Sequence, residues 1–326
     1  MKKVFITGGA GYVGSALVPK LLEKGFQVTV YDTYWYGPVF YSISDSNLNQ
    51  IIGDIRDREK LRTSMAGHDS IIHLACISND PSFELNPSLG KSINYDAFSN
   101  VLSSAKENKA ERFIYASSSS VYGVKLDQEV TEELSPEPLT DYSKFKLECE
   151  KVLYGYSGDM EYVIIRPATV CGYAPRLRLD LAVNILTMNA LENRKIKIFG
   201  GKQLRPNINI EDMVRVYDLM LSTQREKINR QVFNVGYENY SIEDIAKIVA
   251  KNVGGDLDLV YEESDDNRSY HINSDKIKKE LEFNPQYSID SAVKSIVDAY
   301  HMKLIHNGLQ NPFYHNIKRM KELNIQ

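Results

Sequence analysis

The feature that most constrains this chain lies near its start. Val4-Phe5-Ile6 runs into Thr7-Gly8-Gly9-Ala10-Gly11-Tyr12-Val13-Gly14 and then into a second apolar pattern. Val4 to Ile6 is too short and too rich in β-formers for a helix, whereas Leu17, Val18, Leu21 and Leu22 recur on one helical face. Gly8, Gly11 and Gly14, spaced three apart, therefore sit at a strand-to-helix turn, the context in which a glycine pattern carries meaning. Gly8 makes a turn that side chains obstruct, and Gly11 lets the backbone approach a pyrophosphate. Gly14 lets the helix lie close to the sheet, with the free N–H groups of its first turn facing the phosphates. A second strand, Gln27 to Tyr31, ends in Asp32. That is about twenty residues beyond the glycines, where a carboxylate binds the adenosine ribose hydroxyls and repels a 2′-phosphate. The expected cofactor is NAD rather than NADP. Pro19 falls inside the first helix and predicts a kink there.

Beyond this unit, strands and helical patterns alternate. Strands are expected at Gln50 to Gly53, Ser70 to Leu74, Arg112 to Ala116 and Glu161 to Arg166, with helices at Arg58 to Met65, Lys91 to Asn108 and Tyr142 to Tyr154. Such alternation implies an α/β fold with a parallel, doubly wound sheet that binds ligands at the carboxyl ends of its strands. Every segment singled out for chemistry, from Gly53-Asp54 to Pro167-Ala168-Thr169, falls at such an end. After Arg166 the texture changes to a charged stretch at Arg176 to Asp180. Further helices are expected at Leu181 to Leu191, Ile210 to Leu221, Ser241 to Val249 and Val293 to Leu304, and strands at Lys195 to Phe199 and Gln231 to Val235. The expected division is a cofactor domain of residues 1–170 with a returning segment at 207–238, and a smaller C-terminal substrate lobe of residues 171–206 and 239–326. The basic tail from Asn311 to Gln326 has a helical pattern and no evident role.

Charge and cysteine content narrow the partners. A net charge of −4 gives no electrostatic footprint for nucleic acid or an anionic membrane, so an anionic ligand must be held by local arginines and helix ends. Met1-Lys2-Lys3 runs directly into a strand, so no signal peptide is expected, and no apolar run reaches spanning length. Cys76, Cys149 and Cys171 are scattered and form no Cys-x-x-Cys pair. They read as reduced thiols of a cytoplasmic protein, with no metal site.

Two segments can do chemistry. Arg112 to Ala116 leads into Ser117-Ser118-Ser119-Ser120-Val121-Tyr122-Gly123, a run of hydroxyls at a strand end. Downstream, Thr140-Asp141-Tyr142-Ser143-Lys144-Phe145-Lys146 opens a helix with Tyr142 and Lys146 four apart, on one face. A neighbouring ammonium stabilises phenolate, so Lys146 is expected to lower the Tyr142 pKa from about 10. A tyrosine tuned in this way removes a hydroxyl proton while hydride leaves the same carbon. A serine of the 117–120 run would align that hydroxyl. His73, in an apolar strand, reads as a satisfied core histidine. Ser78 to Ser82 reads equally as pocket wall or solvated loop, and Arg176 and Arg178 as substrate contacts or solvent-facing groups.

At this point the chain resembles the extended short-chain dehydrogenase/reductase family, within it the nucleotide-sugar epimerase/dehydratase group, and is similar to UDP-galactose 4-epimerase-like enzymes. The resemblance rests on the glycine turn, Gly53-Asp54-Ile55-Arg56-Asp57, His73-Leu74-Ala75 and Tyr142-x-x-x-Lys146. It continues through Arg166-Pro167-Ala168-Thr169-Val170 and Gly200-Gly201-Lys202-Gln203-Leu204-Arg205. It implies a Rossmann sheet, NAD held by Gly8, Gly11, Tyr12, Val13, Gly14, Asp32, Asp54, Ile55, Leu74, Ala75, Asn94, Tyr142, Lys146 and Pro167, and catalysis by Ser118, Tyr142 and Lys146. It implies a nucleoside-diphosphate sugar held by Ser118, Thr169, Asn184, Arg205 and Arg268, and a homodimer or higher homo-oligomer. Two departures matter. Family 4,6-dehydratases carry an Asp-Glu pair where this chain has Ser119 and Ser120, so the expected reaction is oxidation at sugar C4, as a 4-epimerase or a 4-dehydrogenase giving a 4-keto sugar. The family's Arg-Asp-x-x-His becomes Arg205-Pro206-Asn207-Ile208-Asn209. A 4,6-dehydratase is the alternative within the class. A non-catalytic NAD-sensing regulator is the alternative outside it, and gives no reason for Tyr142 and Lys146 to follow a serine run.

Overall fold

In the computed structural model, which describes residues 2–125, 129–263 and 271–325, the glycine turn sits in the middle of a seven-stranded parallel sheet. From one edge to the other the strands are Gln231–Val235, Glu161–Pro167, Arg112–Ala116, Ser70–His73, Lys3–Thr7, Gln27–Asp32 and Leu48–Ile52. Strands covered on both faces read as continuous apolar runs. Phe5, Ile6, Ile71, Ile72, Phe113, Ile114, Ile164 and Ile165 accordingly have no exposed surface. The chain lays down Lys3–Thr7, then Gln27–Asp32 and Leu48–Ile52 on one side, and returns to place Ser70–His73 on the other. The reversal opens a crevice at the carboxyl ends of Lys3–Thr7 and Ser70–His73, where doubly wound sheets bind ligands.

The Gln231–Val235 strand pairs in parallel with Glu161–Pro167, and helix Ile210–Ser222 packs on helix Tyr12–Glu23. Two small sheets lie beyond the main sheet. One holds Glu238–Ser241, Leu204–Asn209 and Thr169–Cys171; the other pairs Asp258–Glu262 with Lys195–Phe199. Helices Ala182–Asn193, Ile242–Val253 and Ile289–His301 gather around a separate apolar cluster that includes Val183, Ile196, Ile198, Ile245 and Val293. Leu204–Asn209 escapes a reading by apolar alternation because it carries Pro206 and two asparagines.

Helix Tyr12–Glu23 runs on through Pro19; the proline removes one N–H, not the helix. One helix departs from expectation. The single helix expected over Lys91 to Asn108 is instead three pieces: Pro87–Lys91, a π-helical turn over Ser92–Asp96, and Phe98–Glu107. The wide turn is closed by Ala97 N donating to the Ser92 carbonyl at 3.0 Å. Such single-turn π segments are frequent at functional sites.

Candidate active site

The turn after Lys3–Thr7 takes its shape from two glycines. Gly8 has φ +72°, and a Cβ there would lie 2.5 Å from Ala75 N; a Cβ on Gly14 would lie 2.2 Å from the Gly9 carbonyl oxygen. Only hydrogen at these two positions lets the turn pass the neighbouring strand end and the helix close on the turn. Asp32 finishes its strand beside the turn and accepts hydrogen bonds from Ala10 N at 2.9 Å and Tyr34 N at 2.8 Å. Burial raises the pKa of this carboxyl above the ordinary carboxylate value, and those two backbone donors oppose the rise.

One cavity of about 340 Å³ runs from this turn to the serine run. Of the residues expected to bind cofactor, Gly8, Gly11, Tyr12, Val13, Gly14, Asp32, Asp54, Ile55, Leu74, Ala75, Tyr142, Lys146 and Pro167 all line it, as do Ser118 and Thr169. Of the Ser78 to Ser82 segment, Ser78, Asn79 and Asp80 line it. Asp80 accepts from the Thr140 hydroxyl at 2.6 Å, tying that wall to the cap of the Tyr142 helix. At the other end Asp54 is held by Arg56. Burial pushes its pKa up, but hydrogen bonds from the Arg56 side chain and backbone outweigh this and leave it below the ordinary value.

The catalytic segments meet because three elements are tied together behind them. Helix Asp141–Tyr154 starts at a reciprocal Thr140–Ser143 capping box. Ser117 bonds to Glu150 on that helix, and Glu150 also accepts from Arg166 Nε at 3.0 Å and Nη2 at 2.6 Å. Arg166 in turn donates to the Tyr122 hydroxyl at 2.7 Å. Both members of the ion pair are buried. At the front, Ser118 Oγ lies 2.8 Å from Ser120 Oγ and accepts from Ser120 N.

Lys146 and Tyr142 share a face, as the spacing requires, with Nζ 6.0 Å from the centre of the Tyr142 ring. The electrostatic expectation is corrected, however. Lys146 Nζ donates to the Ala116 carbonyl at 2.7 Å. Burial is the largest influence on Tyr142 and raises its pKa above the ordinary value; Cys76 and Asp80 act the same way, while Arg178 and a hydrogen bond with Ser118 oppose them. The helix alone does not make this phenol acidic.

Four further expectations are corrected or fall outside the described residues. Asn94 does not line the cavity; its amide accepts from Ile77 N at 2.8 Å and donates to the Ile77 carbonyl at 2.9 Å, bracing the wall from behind. Asn184 is fully buried and shared between Gly172 N, the Tyr12 hydroxyl and the Arg178 carbonyl, so no polar group is left to reach a diphosphate. Arg205 lies on the strand opposite Tyr240 and does not line the cavity. Arg268 lies outside the described residues. Among the described residues, the arginines that do line it are Arg176 and Arg178. His73 is the core histidine expected: it bonds to Thr7 at 2.7 Å and packs against Phe98, Phe113 and Tyr115.

Residues 4–236 match the sequence profile of the NAD dependent epimerase/dehydratase family. The chain belongs to that family. It is 34% identical over 228 residues to the uncharacterized UDP-glucose epimerase YtcB of Bacillus subtilis, covering 65% of this chain and 70% of that protein. UDP-glucuronic acid decarboxylase 1 of Xenopus tropicalis is 27% identical over 94% of this chain and 74% of its own length. The UDP-glucuronic acid 4-epimerase of Bacillus cereus, solved in complex with UDP-glucuronic acid and NAD, superposes with a TM-score of 0.83 at 28% identity, covering 92% of this chain and 99% of that one.

Membership makes this epimerase/dehydratase-family chain an NAD-dependent enzyme, and its own residues fit the cofactor. A Cβ would fill the cradle at Gly8, Asp32 closes the second strand at the position suited to a ribose, and the buried Nε of Arg176 has no hydrogen-bond partner among the described residues. No helix among the described residues is long and apolar enough to cross a membrane, and no cluster of metal-ligating side chains occurs among them.

Proposed function

We propose that this enzyme oxidises C4 of a nucleoside-diphosphate sugar and works as a 4-epimerase, with a 4-dehydrogenase releasing the 4-keto sugar as the nearest variant. One observation carries the reading: Ser118, Tyr142 and Lys146 share a single cavity with the glycine turn and Asp32, and no carboxylate stands at positions 119 and 120. Bound NAD supplies the hydride acceptor and donor at C4. As phenolate, Tyr142 would take the proton of the C4 hydroxyl while hydride leaves C4, and as phenol it would give that proton back, acting as general base and then acid. Lys146, fixed by the Ala116 carbonyl, holds a positive charge beside the ring of Tyr142, and Ser118 orients the reacting hydroxyl.

Ser119 is buried and Ser120 is bonded to Ser118. Neither hydroxyl ionises near neutral pH, so this pair cannot serve as acid and base for loss of water from C6, which speaks against a 4,6-dehydratase. The kinship to a UDP-glucose epimerase and to a UDP-glucuronic acid 4-epimerase supports a uridine-diphosphate hexose or hexuronic acid as substrate. Incubation with a panel of nucleotide sugars in deuterated water, followed by mass spectrometry and chromatography, tests the proposal. An isobaric product of altered retention is expected. Loss of water, or of carbon dioxide from a hexuronic acid, would replace the epimerase reading; no turnover on any member would favour the regulator.

A further inference from the structure

Arg176 has an unusual position for a guanidinium. It is 3% exposed, lines the cavity, and lies over the Tyr36 ring with its central carbon 3.8 Å from the ring centre. Nη2 donates to Asn316 Oδ1 at 2.5 Å, while Nε is buried with no hydrogen-bond partner among the described residues. Burial and the nearby Arg178 pull its pKa down, to about 10, the opposite of what an arginine with a carboxylate mate shows. A buried, cationic, half-satisfied fork is costly unless an anion completes it. Its surroundings say which anion. Arg176 N donates to Ser15 Oγ at 3.1 Å, in the first turns of the helix that follows the glycines, and its charge is felt by both Asp32 and Tyr12. All of these are on the cofactor side of the cavity.

Asn316 comes from the basic tail for which the sequence offers no role. It is 2% exposed and spans three walls. Its Oδ1 accepts from Arg176, its Nδ2 donates to the Ser78 carbonyl at 3.2 Å, and its N–H donates to Asp180. One turn on, Arg319 donates to the Trp35 carbonyl, and Met320 is buried in the apolar cluster that includes Trp35 and Ile77. The tail thus fastens the loops that follow three different strands.

We propose that Arg176 binds the diphosphate of NAD and that Asn316 is the positioning residue that aims it, so that the C-terminal segment acts as a latch on the cofactor. Guanidinium geometry suits a phosphate, and a charge-assisted bond in a water-excluded wall is stronger than a neutral one. A nucleotide-sugar diphosphate offers the same chemistry, so the test separates the two sources. NAD and UDP affinities are measured by titration calorimetry and by quenching of Trp35, the only tryptophan, on protein stripped of dinucleotide. Arg176→Gln and Asn316→Ala are each expected to weaken NAD by about tenfold or more. UDP should stay within about twofold of wild type, and the double variant should be no weaker than R176Q alone, because Asn316 acts through Arg176. If R176Q does not fold, R176K, which keeps the charge and loses the fork, should give an intermediate loss of NAD affinity. Unchanged NAD affinity in the folded variants, loss of UDP with NAD retained, or additive losses in the double variant would each overturn the proposal.

Discussion

Burial in the cavity wall raises the pKa of the Tyr142 phenol, so its work as a base depends on the positive charges that bear on it. Replacing it by phenylalanine removes the proton-transfer group and little volume. Turnover of Y142F should fall by about 10²–10⁴-fold, the range of general acid–base catalysis, while NAD affinity read by Trp35 quenching stays close to wild type. Retained turnover would remove Tyr142 from the chemistry. A second residue-scale effect comes from His73. Burial, helped by Lys146, depresses its pKa to about 3. The unfolded chain, with a histidine near pH 6.5, therefore binds more protons than the folded one between those values. The stability contributed by burying a neutral His73 is complete above about pH 6.5 and is lost as pH falls toward 3, at up to about 1.4 kcal/mol per pH unit. Urea midpoints at pH 7 and pH 5 should drop in wild type and drop less in His73→Gln; equal slopes would contradict this.

At the scale of elements, the catalytic constellation is held by the Glu150–Arg166 pair rather than by the residues that touch ligand. The pair joins the Tyr142 helix to the serine run through Ser117 and to strand Glu161–Pro167 through Arg166 itself. Removing one partner of a buried pair strands the other charge, at a cost of about 3–5 kcal/mol. Glu150→Ala should lose that much stability in chemical denaturation and, where still folded, lose kcat by more than NAD affinity. A loss below about 1 kcal/mol would mean that the pair contributes little. The motif Arg166-Pro167 was visible in the sequence, whereas Glu150 was not. Nothing in its spacing from Arg166 signals a contact, which the parallel pairing of two strands and the packing of a helix across them create. Asn94, which the resemblance assigns to the cofactor, stands in the π-helical turn at Ser92–Asp96 and bonds to the Ile77 backbone behind the wall.

For the whole molecule, the cavity is a joint product of distant segments: the glycine turn, the loops after five other strands of the main sheet, and the tail beyond residue 310. A ligand that binds only this assembled wall stabilises the folded state by mass action. NAD at about one hundred times its dissociation constant should add about 2.7 kcal/mol and raise the thermal midpoint accordingly. NADP should add less, because the Asp32 carboxyl lines the cavity at the strand end, where a carboxylate repels a 2′-phosphate. An equal shift with both dinucleotides would argue against the role given to Asp32.

The sequence by itself determined the strand–turn–helix at the start, the alternation that builds a parallel sheet, and the pairing of Tyr142 with Lys146, because each rests on a short-range period or on a backbone conformation open to glycine. It also carried the segments that resemble an NAD-dependent family. Only the tertiary structure decided which arginines face the cavity. Arg205 looked suited to a diphosphate and lies on a small sheet without lining the cavity, Asn184 is spent on internal bonds, and Arg176 and Arg178 take the wall. The reason is physical. Which way a charged side chain turns depends on what packs across from it, and at Arg176 that is Asn316, 140 residues away.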